Sequence, residues 1–407
     1  MENKAILEFI KTNIDLNKSQ LAYSILNVDD LVLKYRQWFR LMPKISPYYA
    51  VKANPSQQLL KVLIELGVGF DCASQYEMQR LIGLGAKPES IIFANTCKTR
   101  ESLKYSRDSG IRLMTVDCLD DLYDIQSMHS DAKLLVRIKV DDTDSKVKLN
   151  DKFGLQLDGV YDLMMAAKDK DLQVTGVAFH VGSGAQNAHL YDQAIASARQ
   201  VFDLAATIGY HQMTVLNIGG GFPGSTSHHQ SLISNLPDNS SGGTTIEQIA
   251  LVVNRAIDDY FGDYGDRLTI MAEPGTYFCE SAVTLLTRIL SKKLVIDGQN
   301  NIEKIMYYLN DGAYGSFRDS IYIQKTYKPI PLLASDDSLK RKNYNSILWG
   351  PTCCSRDCIQ DSCSMVEMFA GEWLLFDNMG AYTDNYGNYG FNGIPKPLCL
   401  VYNSNHN

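Results

Sequence analysis

The stretch SPYYAVKANPSQQLLKVLIELGVGFDC, Ser46–Cys72, decides how the rest of the chain is read. Tyr48–Val51 is an apolar run of strand length, closed by Lys52 and the Asn54-Pro55 break. Ser56–Leu66 then carries apolar residues at i, i+3 and i+4, the spacing of one buried helix face. At Val68–Cys72 a second apolar run begins. Strand, helix and strand follow one another without a long connection.

Moving outward, the same alternation continues through Ile91–Ala94, Arg112–Val116, Leu134–Val140, Val174–Val181, Thr214–Ile218 and Leu268–Ala272. Most of these runs are continuous rather than alternating, as parallel strands covered on both faces are. Eight βα units in about 230 residues predict a (β/α)8 TIM-like barrel over residues 29–277. A doubly wound sheet is the alternative, but it would place its glycine-rich turn after the first strand. Here the glycines come late, at Gly219–Gly221.

Beyond residue 277 helical periodicity fades. Val283–Ile289, Ile305–Leu309 and Trp373–Phe376 read as antiparallel strands of a β-rich domain, 278–407, to which residues 1–28 add a strand. Gly224–Thr244 is polar, rich in Ser, Asn and Gly, and expected to be a mobile loop.

The 407 residues carry 39 Lys and Arg against 46 Asp and Glu, a net charge of −7. That acidic balance argues against a nucleic-acid or anionic-membrane partner. No apolar run approaches the roughly 18 residues of a membrane span, and Lys4, Glu8 and Lys11 break any secretory pattern at the start. Nine cysteines in so long a chain suggest reduced thiols and a cytoplasmic protein. Cys353, Cys354, Cys358 and Cys363 fit no common zinc spacing, and no metal is expected.

In a barrel of this kind chemistry sits at the C-terminal ends of the strands. Those ends hold Lys52, Asp71, His180, Gly219-Gly220-Gly221 and Glu273-Pro274-Gly275. A lysine withdrawn from water can form a Schiff base, although a lone lysine there is more often a surface one. Glycines let backbone N–H groups close on a phosphate, or simply make a tight turn. Glu273 suits a protonated ring nitrogen, and His180 a planar ring, with Ser183 offering a hydroxyl. Together they describe pyridoxal 5′-phosphate.

SPYYAVKANP (Ser46–Pro55), Phe70–Ser74, His180–Gly184, Gly219–Gly224, Trp349–Cys353 and Asn378–Thr383 resemble, in order, the motifs of eukaryotic ornithine decarboxylase and its relatives. The resemblance runs almost end to end. It implies an alanine-racemase-like barrel with a β-domain and a homodimer with active sites at its interface. It also implies that Lys52 carries the cofactor, Glu273 meets its ring nitrogen and His180 stacks on the ring. Asp71 and Gly275 would line the cofactor site; Ser183, Gly219, Gly220, Gly221 and Tyr382 would surround the phosphate, and Arg137 would lie near the 3′-oxygen. Cys353 would be the proton donor reaching the other subunit, and Lys152 and Asp357 would link the two copies. A chain ending at Asn407 would lack the long tail that marks some members for degradation, and slow turnover is expected.

Four positions depart from the family. Cys354 replaces the aspartate that grips the substrate's distal ammonium, and Ile323, after Tyr322, replaces a second substrate aspartate. Leaving a buried ammonium unpaired costs about 2–5 kcal/mol. Thr276 stands where the family has an arginine on the phosphate, and Asn217 where it has an acid. A lost charge-assisted hydrogen bond is worth about 1.5–3 kcal/mol. These changes predict a protein of the polyamine pathway that is inactive or strongly impaired on ornithine, and regulatory in the manner of the antizyme inhibitors. Lys104, Tyr105 and Lys133 fall in the matching region for an antizyme-like partner. An active decarboxylase making putrescine, or one acting on another amino acid, are the alternatives.

Overall fold

A computed structural model describes residues 2–224, 244–333, 341–383 and 386–404. They form two compact units: residues 31–224 with 244–278, and residues 2–30 with 279 onward. Residues 225–243, most of the expected mobile loop, lie outside the described residues.

In the first unit, Ile45–Ala50 (β1), Gly69–Cys72 (β2), Ile91–Phe93 (β3), Leu113–Val116 (β4), Lys133–Arg137 (β5), Gln173–Ala178 (β6), Val215–Asn217 (β7) and Thr269–Ala272 (β8) form a closed parallel barrel. Each strand pairs with the next in sequence, and β8 returns to β1 with Ile270 opposite Ile45. The expected (β/α)8 barrel is therefore present. Ile92, Leu135, Ala178 and Met271, from β3, β5, β6 and β8, form one buried cluster. Helices such as Gln57–Glu65 lie between the strands and bury one face: Leu59, Leu60 and Leu63.

Strand ends differ from the apolar runs. β5 stops at Arg137 and β6 at Ala178, short of the runs' limits at Val140 and Val181. Residues 179–182 remain buried or half-buried as loop, so hydrophobicity continues after ladder pairing has ended. A two-stranded ribbon, Ser145–Val147 with Ser183–Ala185, also lies in this unit; its strands are too short to show a period.

The second unit is an eight-stranded sheet. Val283–Ile296 is its long central strand, antiparallel to Ile302–Leu309, Trp373–Phe376 and Tyr23–Asn27. Val283–Ile289 is antiparallel to Ile305–Leu309 and to Trp373–Phe376, as expected, but two other pairings in this unit are parallel. Ile302–Leu309 pairs in parallel with Asn343–Trp349, and Tyr23–Asn27 with Leu398–Tyr402. Period-two alternation places side chains on faces but says nothing about a neighbour's direction. The strand expected from residues 1–28 is present, preceded by a helix, Glu2–Asn13, whose Ile6 and Ile10 pack with Ile25, Leu286 and Trp373. No described helix is long and apolar enough to cross a membrane.

Candidate cofactor and active site

Each barrel strand ends by turning its chain toward one mouth, and the candidate residues gather there. β1 ends at Ala50, and a single 3-10 turn, Val51–Ala53, carries Lys52. Lys52 Nζ lies 2.7 Å from Asp71 Oδ2 at the end of β2; its side chain is 41% exposed and that of Asp71 only 1%. Asp71 Oδ1 is buried with no hydrogen-bond partner among the described residues. Just beyond β2, Ser74 caps the helix Gln75–Gly83, and Glu77 Oε2 accepts from Ala73 N at 2.6 Å. Burial, with Asp71 nearby, raises the Glu77 carboxyl. The Ser-x-x-Glu spacing of Ser74 and Glu77 is a helix-start signal that sequence reading had not used.

Opposite, β8 delivers Glu273. Asn217, the last residue of β7, donates from Nδ2 to Glu273 Oε1 at 2.6 Å and accepts at Oδ1 from Gly219 N at 2.9 Å. Glu273 is pushed up to about 7, first by burial and then by Asp71, while Lys52, Asn217 and Arg137 oppose the shift. Its carboxyl therefore holds a proton about as readily as it releases one at neutral pH.

His180 lies two residues past β6. Its Nδ1 accepts from Gly182 N at 3.0 Å, which leaves the ring proton on Nε2. Burial, with Arg137 and Lys52 close by, drives its basicity well down, so the ring is neutral. Arg137, at the end of β5, packs its guanidinium 4.7 Å over the Phe153 ring. Its Nε and Nη2 are buried without hydrogen-bond partners among the described residues. Lys52, Arg137, His180 and Glu273 are each half-buried: protein surrounds them, yet each keeps an open edge.

The triple glycine closes the arrangement. Gly219 and Gly221 have φ of 65° and 102°, values that favour glycine. A Cβ on Gly220 would come within 2.8 Å of both Glu273 O and His180 Nε2. Tyr191, wholly buried, donates its hydroxyl to Gly220 O at 2.9 Å and so fixes the turn. Ser183 is half-buried on its ribbon, Gly275 is buried, and Thr276 opens the short helix Thr276–Cys279.

These residues fit pyridoxal phosphate. A lysine sits on a carboxylate, a neutral imidazole presents a flat face, and a carboxyl near neutrality suits a ring nitrogen. The glycine turn is shaped so that any added Cβ would clash, and two unsatisfied arginine nitrogens await an acceptor.

In the sheet unit, Cys353 is exposed, with Sγ 3.4 Å from Asn392 Oδ1. Cys354 Sγ accepts from the Tyr314 hydroxyl at 3.0 Å. Tyr322 and Ile323 are 65% and 53% exposed, at the end of the helix Asp319–Tyr322. Arg318 lies 3.9 Å over the Tyr322 ring. Tyr382 has φ of 55°, with its ring 5.5 Å from that of Tyr386. Lys152 is an exposed residue of the barrel unit. Asp357 is buried and accepts from Ala313 N at 2.7 Å and Thr352 N at 2.9 Å, within its own unit.

Residues 28–280 match the family model described as pyridoxal-dependent decarboxylase, pyridoxal binding domain. The chain belongs to this family. Pyridoxal phosphate is its cofactor. Over 403 residues it is 38% identical to rat ornithine decarboxylase, covering 97% of this chain and 83% of that protein. It is also 38% identical to antizyme inhibitor 2 of Xenopus laevis, over 93% of this chain and 80% of that protein. Among solved structures, the arginine decarboxylase of Paramecium bursaria Chlorella virus matches with a TM-score of 0.87 at 31% identity, over 98% of this chain and 100% of that one. The chain is thus an ornithine decarboxylase-like member of the family.

Proposed function

We propose that this protein is a cytoplasmic, pyridoxal-phosphate-binding protein of polyamine metabolism that keeps the cofactor machinery and has lost strong recognition of ornithine. The observation that carries the reading is a contrast. The barrel mouth holds the Lys52–Asp71 and Asn217–Glu273 pairs at 2.7 and 2.6 Å, whereas the sheet unit offers Ile323 and Cys354 where a diamine's ammonium needs carboxylates.

The chemistry that pyridoxal phosphate supplies when bound is an electron sink for the pair left at Cα as carbon dioxide departs. Lys52, kept in place by Asp71, is the covalent anchor. His180, neutral because it is buried beside Arg137 and Lys52, lends a flat face without adding charge. Glu273 holds or accepts a proton at Oε2, since Asn217 occupies Oε1. Ser183 and the N–H groups of Gly219–Gly221 hold the phosphate, with Tyr382. In a homodimer, Cys353 of one copy gives a proton at the partner's site, and Lys152 faces the partner's Asp357.

A second reading rests on Thr276, which removes a cation from the phosphate, and on the relative named antizyme inhibitor 2. In it the protein acts by binding an antizyme-like partner. Restoring the carboxylates separates the readings: Cys354→Asp with Ile323→Asp should raise ornithine decarboxylation about a hundredfold, the equivalent of about 2.7 kcal/mol. No gain in a variant whose cofactor is demonstrably bound overturns the pocket explanation.

A further inference from the structure

Arg137 and Arg318 are half-buried arginines whose guanidinium groups make no hydrogen bond or ion pair among the described residues. Other half-buried arginines do: Arg199 and Arg341 bind carboxylates, and Arg80 binds the Tyr76 hydroxyl. Arg137 belongs to the cofactor site. Arg318 lies in the sheet unit, where its guanidinium carbon sits 3.9 Å from the centre of the Tyr322 ring and 5.1 Å from that of Tyr386. The Tyr386 ring in turn meets that of Tyr382. Tyr322 and Tyr386 are both exposed, so this aromatic clamp is open to a ligand.

Stacking engages the flat faces of a guanidinium and leaves its edge, a fork of N–H donors, turned outward. The turn that carries it is fixed. Ile321 N donates to Arg318 O at 3.0 Å and Ile323 N to Asp319 O at 3.2 Å, so Arg318, Tyr322 and Ile323 sit on one short helix and its ends. Asp319 supplies no counter-ion. Burial raises its carboxyl, against Lys325 and then Arg318, yet it forms an ion pair with neither among the described residues; Lys325 lies 3.8 Å from Glu280 instead. The family resemblance puts Tyr322 and positions 323 and 354 in the substrate pocket. That pocket has lost negative charge at Ile323 and Cys354, and beside Tyr322 it holds the positive charge of Arg318. An ammonium meets like charge there, whereas a carboxylate meets a two-pronged donor.

We propose that Arg318 sets the specificity of this pocket, and that the amino acid it admits ends its side chain in a carboxylate, as glutamate and aspartate do. The inference rests on the proposed reading that Tyr322, Ile323 and Cys354 line the substrate pocket of a cofactor-binding protein. The edge of Arg318 donates parallel N–H bonds to the side-chain carboxylate. The α-carboxylate is the one that departs: its bond to Cα breaks, carbon dioxide leaves without the bonding pair, and a proton joins Cα. The side-chain carboxylate stays on Arg318 unchanged, so the product is an amine that still carries an acid.

The test uses the full chain loaded with pyridoxal phosphate, with L-glutamate, L-aspartate, L-ornithine and L-leucine as probes. Affinity is read from the change each causes in the visible absorption band, apart from turnover. Glutamate or aspartate should bind about tenfold more tightly than ornithine and leucine. Arg318→Gln should weaken that binding about tenfold to a hundredfold, as loss of charge-assisted hydrogen bonds requires. Arg318→Lys, which keeps the charge and loses the fork, should fall between. Affinity for pyridoxal phosphate should be equal in all three proteins. In cofactor-free protein, glutarate should slow the modification of Arg318 by phenylglyoxal, followed by mass spectrometry, and leave the exposed Arg36 and Arg40 unaffected. Tighter binding of ornithine or leucine, acid binding unchanged in Arg318→Gln, or a cofactor affinity that falls in that variant overturns the proposal. A parent protein with no cofactor band contradicts the cofactor reading instead; protection of Arg318 by glutarate then still supports the acid pocket, and its lack overturns it.

Discussion

Asn217 donates its side-chain amide to Glu273 Oε1 at 2.6 Å, joining the ends of neighbouring barrel strands β7 and β8. A carboxylate at position 217 would instead face Glu273 with like charge. The amide lets Glu273 titrate near neutrality although burial raises it to about 7. Asn217→Asp should therefore raise Glu273 further. The visible absorption band of the cofactor-loaded protein should then change with pH at a higher midpoint than in the parent. An unchanged midpoint would remove Asn217 from the tuning of Glu273.

Glu273 and Asp311 also set a pH dependence of stability. Glu273 rises from an ordinary 4.5 to about 7, and Asp311, wholly buried with Oδ2 lacking a partner among the described residues, rises from 3.8 to about 6. In both cases the folded protein binds the extra proton. The contribution is complete below the unfolded-state values and is lost as pH rises through about 6 and 7. The melting temperature of cofactor-free protein should fall between about pH 5 and pH 8, and Glu273→Gln should flatten the upper part of that fall. A melting temperature that climbs over this range would contradict the assignment.

In the proposed reading Thr276 stands beside the phosphate. If an arginine there supplies a charge-assisted bond worth about 1.5–3 kcal/mol, Thr276→Arg should tighten pyridoxal phosphate binding at least tenfold. Equal affinity in parent and variant, by equilibrium dialysis, would show that Thr276 does not weaken the site.

Gly220 is bounded by Glu273 O and His180 Nε2, and its carbonyl is held by Tyr191. Gly220→Ala should abolish cofactor binding while leaving far-ultraviolet dichroism intact. Tyr191→Phe should cost about 1–3 kcal/mol of stability, read by urea denaturation, by leaving Gly220 O unsatisfied. Full binding by Gly220→Ala would mean that the turn is wider than its surroundings indicate.

The barrel was legible because its strands are buried on both faces and so read as continuous apolar runs, Tyr48–Val51 and Ile91–Ala94 among them. The residues at their ends came with it: Lys52, Asp71, His180 and Glu273 all lie at one mouth. Partners far apart in sequence were not legible. Nothing local to Tyr191 announces the bond to Gly220, and nothing around Tyr314 points to Cys354. The parallel pairing of Ile302–Leu309 with Asn343–Trp349 was hidden for a related reason, since alternation has no direction. Asp357 accepts from Thr352 N in its own turn and from Ala313 N, 44 residues earlier, and nothing local to either residue announces the second bond.

The most direct measurement is a titration of the purified protein with pyridoxal phosphate, read by its visible absorption band, with carbon dioxide release from ornithine assayed in the same tube. A retained cofactor site and an altered pocket predict a saturable band accompanied by little or no release from ornithine. A saturable band with rapid release would contradict the loss of ornithine recognition, and no band at any concentration would contradict the retained cofactor site.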